Sequence, residues 1–80
     1  MSEVEVVEVH TTVYMLEPVK KLLVILAHDE DTTKKMVINK AIIEYAKKKL
    51  NNLKKEYLKP AIEERIAEAE KLLKALEGER

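Results

Sequence analysis

The sequence predicts a mainly α-helical protein with one β-strand per chain, completed as a homodimer and carrying an extra C-terminal helix. Three observations predict it. A β-branched, alternating segment lies near the N-terminus, helix-period stretches opened by proline or threonine follow it, and no second segment has strand periodicity.

The first element is VVEVHTTVYML. Val7, Val9, Thr11, Val13 and Met15 share one parity and Glu8, His10, Thr12 and Tyr14 the other, a period of two with an apolar and a polar face. The phase breaks at Val6–Val7, so residues 1–6 read as a flexible acidic N-terminus. Leu16-Glu17-Pro18 ends the strand. Pro18 suits the first position of a helix expected to run from Pro18 to His28, with Val19, Leu22, Leu23 and Leu26 at helical spacing. HDEDTT is a polar break in which Thr33 is the best N-cap candidate and Thr32 the second. A long helix follows in KKMVINKAIIEYAKKKL, with Val37, Ile38, Ala41, Ile42 and Tyr45 on one face, and either ends at Asn51-Asn52 or continues to Leu58. Pro60 opens a third helix that Gly78 can terminate. Leu58, Ile62, Ile66, Ala69, Leu73 and Leu76 give it a near-heptad seam that must pack on something.

A lone strand leaves backbone groups unpaired. The economical remedy is a copy of itself in a second chain, as an intermolecular antiparallel two-stranded ribbon across a two-fold axis. Val9, Val13, Met15, Leu22, Leu26, Ile38, Ala41, Ile42 and Tyr45 are then the expected dimer core.

Eighty residues make one small domain, whose limited core favours a partner. With no cysteine, disulfides and thiolate metal sites are excluded. No apolar run reaches the roughly 20 residues of a membrane span, and the acidic start is unlike a signal peptide, so a cytoplasmic protein is expected. Absence of Gln, Cys, Trp and Phe beside abundant Glu, Lys, Ile and Val hints at a thermophile. Net charge is zero, yet residues 1–17 carry four acids and no base, and residues 18–59 carry eleven lysines against five acids. The basic charge therefore sits in the middle of the chain. No nucleophile with a base, glycine-rich phosphate loop or paired carboxylate site is recognisable, so neither an enzyme nor a cofactor is expected. His28-Asp29-Glu30-Asp31 reads as a polar turn and not a metal site, because adjacent residues do not converge on one point. Lys47-Lys48-Lys49 reads as solvated helix surface.

Residues His10–Lys47 resemble the ribbon-helix-helix (MetJ/Arc) family of DNA-binding repressors. HTTVYM stands for the ribbon, EPVKKLLVILA for the first helix, and TKKMVINKAIIEYAKK for the second, in the style of the family's S-x-S-x-x-I-x-x-A-I-x-x-Y. The resemblance implies a ribbon-helix-helix domain over residues 7–50, with residues 51–80 as a C-terminal helical extension. It implies a transcriptional repressor whose dimeric ribbon enters the major groove of a pseudo-palindromic operator, with further assembly on DNA open to it. His10, Thr12 and Tyr14 would then contact bases, and Thr33, Lys34 and Lys35 would contact phosphates at the second helix's N-terminus. Two features depart from the family. Asp29-Glu30-Asp31 stands where a turn glycine is usual, and Glu8 precedes His10 on the outer face. Both lower the attraction for DNA and make binding strongly salt-dependent.

The C-terminal helix reads first as a brace folded onto the dimer. As a partner-binding arm over 60–77 it would make the protein an antitoxin of a toxin–antitoxin pair, since antitoxins with this fold bind their toxin after the second helix. A non-DNA-binding interaction or scaffold dimer is the alternative of a different class, favoured by the acidic N-terminus.

Overall fold

A computed structural model of the chain describes residues 6–78. Three α-helices follow an N-terminal arm: α1 (Glu17–Asp29), α2 (Lys34–Lys49) and α3 (Lys59–Gly78), with a single 3-10 turn, Glu56–Leu58, leading into α3.

The expected strand over Val7–Met15, and with it the intermolecular ribbon, is corrected by the structure. Among the described residues no strand occurs, and residues 6–16 carry no regular secondary structure. Alternation specifies which side chains are apolar; it does not give the backbone a hydrogen-bonding partner. A strand needs a neighbouring ladder, and the rest of the described chain is taken up by helices and turns. The fold is therefore mainly α. Fraying was expected of residues 1–6, of which residues 1–5 lie outside the described residues.

The helices form where local chemistry favours them. α1 begins at Leu16, whose extended backbone (φ −64°, ψ 143°) serves as N-cap without a side-chain hydrogen bond, with Glu17 and Pro18 in the first turn. It ends in a Schellman-type closure. The Thr32 N–H donates to the Ala27 carbonyl at 2.9 Å and the Asp31 N–H to that of His28 at 3.2 Å. Asp31 takes the left-handed position at φ 53°, where a glycine is usual. We expect Asp31→Ala to be about 1–2 kcal/mol less stable than Asp31→Gly in urea unfolding, since only glycine adopts this φ without a Cβ clash. Equal stabilities would mean that the turn does not hold this geometry.

Thr33 caps α2, its Oγ1 accepting from the Met36 N–H at 3.2 Å. The helix stops at Lys49, and Asn51-Asn52 lie in the following turn, so the continuation through Leu58 does not occur. Leu58 falls in the 3-10 turn and is exposed. The remaining seam residues Ile62, Ile66, Ala69, Leu73 and Leu76 are half-buried.

α2 sits between the other two helices. Ala27 of α1 and Met36, Val37 and Ile43 of α2 are the buried hydrophobic residues. Lys47 Nζ meets Glu70 at 2.9 Å and Lys40 Nζ meets Glu77 at 3.4 Å, so α3 runs antiparallel to α2 and residues 59–78 fold back on the helical pair. The Glu70 carboxylate, by hydrogen bond and charge, and the charge of Glu44 hold the Lys47 ammonium above its ordinary pKa. These pairs are solvent-accessible, so each contributes well under about 1 kcal/mol and mainly sets register.

Candidate nucleic-acid interface

The arm carries His10, Thr12 and Tyr14, all exposed; Tyr14 retains 97% of its accessible surface. None of the three packs into the intrachain core, so their polar groups face solvent. At the start of α2, Thr33, Lys34 and Lys35 are exposed too. Accepting from Met36 still leaves the Thr33 hydroxyl proton to donate. The first-turn N–H groups and two ammonium side chains lie beside it, a local field that suits an anion. The Asn39 amide donates to the Lys35 carbonyl at 2.9 Å, one turn further on.

The arm and the helix start are brought together. Glu8 Oε1 lies 2.8 Å from Lys35 Nζ, so the segment proposed to read bases is tied to the residues proposed to hold phosphates. Sequence reasoning did not pair these two residues. The signal was present in the charge blocks, an acidic first 17 residues followed by a basic middle. The acidic turn is partly neutralised as well, since Glu30 lies 3.7 Å from Lys40.

Every residue assigned to a dimer core is exposed in the single chain: Val9, Val13, Met15, Leu22, Leu26, Ile38, Ala41, Ile42 and Tyr45. Ile42 keeps 62% of its surface while Ile43, the next residue, keeps 9%. α2 is thus apolar on two sides, one against the chain's own helices and one facing out. Exposed Val19, Leu22, Val24, Ile25 and Leu26 make α1 apolar over much of its circumference, which is characteristic of a helix buried in an assembly. An open apolar cleft of about 780 Å³ runs between the arm, α2 and α3, lined by Val7, Val13, Met15, Ile38, Ile42 and Leu73 among others.

The surface area measures the incompleteness. The chain exposes 7223 Å², whereas a compact monomer of 9.2 kDa exposes roughly 4,900 Å². Its radius of gyration is 14.4 Å, against about 11.6 Å for a compact domain of this length. Among the described residues no helix is long and apolar enough to cross a membrane, and no group of three or more His, Asp or Glu side chains could hold a metal ion.

A scan against models of known protein families finds no match, and searches of curated proteins and of solved structures return no similar protein.

Proposed function

We propose that the protein is a DNA-binding transcriptional regulator, a repressor by its resemblance, that acts as a homodimer. The observation that carries the reading is the adjacency of the arm to the α2 N-terminus through Glu8 and Lys35. It puts His10, Thr12 and Tyr14 on the segment next to Thr33, Lys34 and Lys35, the two kinds of contact that DNA recognition requires. Phosphates held at the helix start would set the register, and the arm would present a hydroxyl, an imidazole and a phenol to base edges in the major groove. Self-association rests on the exposed apolar side of α1 and α2. The excess surface of roughly 2,300 Å² is what one protomer of an obligate dimer buries, and a two-fold axis would match a pseudo-palindromic operator.

A second reading, an interaction dimer that does not bind DNA, is favoured by the acids around the anchor: Glu8, Asp29, Glu30 and Asp31. The antitoxin reading is less well supported, because the seam it would offer a toxin is half-buried within the chain.

A gel shift separates these readings. At low salt the wild type should retard DNA from upstream of its own gene in preference to an unrelated duplex. Thr12→Ala should lose at least about tenfold of that preference while its non-specific binding persists, since removing one base-edge interaction costs roughly 1–3 kcal/mol. Wild-type protein that does not distinguish the two duplexes is no sequence-specific regulator, and one that binds neither is an interaction dimer.

A further inference from the structure

We infer that Glu8 is an intramolecular competitor for the phosphate anchor, holding Lys35 while no DNA is bound and setting the salt range over which the protein binds. The inference rests on the DNA-binding reading and adds its regulation. Lys35 Nζ and Glu8 Oε1 are 2.8 Å apart, and the two side chains are 52% and 50% exposed. An ion pair so open to water is weak, so an incoming phosphate can displace it. Displacement has two consequences. The freed carboxylate is left beside a phosphate and repels it, and the arm carrying His10, Thr12 and Tyr14 loses its tether to α2. The apo protein therefore stores its reading arm against its own anchor, and each binding event must break that ion pair once per protomer.

No acid on α2 itself competes for this role. The helix has no acidic residue in its first turn, and Glu44, its single acid, is paired with Lys47 at 3.8 Å. Glu30 of the preceding turn is directed to Lys40. Neutralising Glu8 should therefore act chiefly through Lys35 and nearby phosphates. Neutralising a remote acid should act only through net charge.

The test is fluorescence anisotropy with a labelled duplex of mixed sequence across roughly 50–200 mM salt, because the phosphate contribution is independent of sequence. Glu8→Gln should bind about fivefold tighter than wild type at the low end, with a salt dependence steeper by about one phosphate per protomer. Glu63→Gln on α3, which removes the same charge, should change affinity less than about twofold. In a Lys35→Ala background the gain from Glu8→Gln should fall below about twofold, the signature of a coupled pair. If wild type binds and Glu8→Gln gains no more than Glu63→Gln, or gains equally without Lys35, the inference is wrong while the DNA reading stands. If none of these proteins binds the duplex at any salt concentration, the DNA reading fails and takes the inference with it.

Discussion

Ile42→Glu should abolish the dimer, raising its dissociation constant about a thousandfold or more. Each protomer would replace an apolar side chain worth roughly 2–3 kcal/mol of burial with a carboxylate, and the change occurs twice across a two-fold interface. Some 4 kcal/mol or more follows, at about 1.4 kcal/mol per factor of ten. In an isolated chain the same substitution touches a side chain that is 62% exposed and should cost within about half a kcal/mol. The two situations are thus far apart. Sedimentation across micromolar concentrations should show a dimeric wild type and a monomeric variant, with Ala67→Glu, an exposed change on α3, behaving as wild type. Should wild type and Ile42→Glu both sediment as monomers of equal stability, the apolar side of α2 does not pair with a second copy.

The second large effect is on DNA. Lys34→Ala and Lys35→Ala together remove four positive charges from a dimer. They should weaken duplex binding by ten- to a hundredfold at low salt and flatten the salt dependence by about three to four units, at roughly 0.9 for each phosphate no longer neutralised. Both residues are exposed, so circular dichroism should be unchanged. Unaltered affinity in the double variant would place the anchor elsewhere, with the Lys47-Lys48-Lys49 run the next basic segment to try.

These two experiments probe different parts of the chain, and they differ in how far the sequence reveals them. Thr33 was recognisable as a cap because a hydroxyl residue before a helical run can accept from the third N–H inside it, and the Met36 N–H donates to it in this way. Pro18 and Pro60 fell in the first turns of α1 and α3 for an equally local reason, the fixed φ of proline. The α3 seam was readable from its spacing, although Leu58 belongs to a 3-10 turn. The side of α2 that the chain itself buries was not readable. Met36, Val37 and Ile43 compete with Ile38, Ala41, Ile42 and Tyr45, and periodicity alone cannot rank two apolar sides of one helix.

The strand shows where local reasoning ends. Alternation over Val7–Met15 is a fact about side chains, but a strand is a hydrogen-bonded relation between two backbone segments, and the described chain supplies no second one. The pairing of Glu8 with Lys35 is also non-local, since it joins residues separated by all of α1. What the sequence by itself determined is the helices, their caps and the charge blocks, because these depend on interactions within a few residues. Only the tertiary structure decided that the arm stays irregular, that α3 turns back along α2, and that one apolar side of α2 faces outward, because burial depends on which distant surfaces meet.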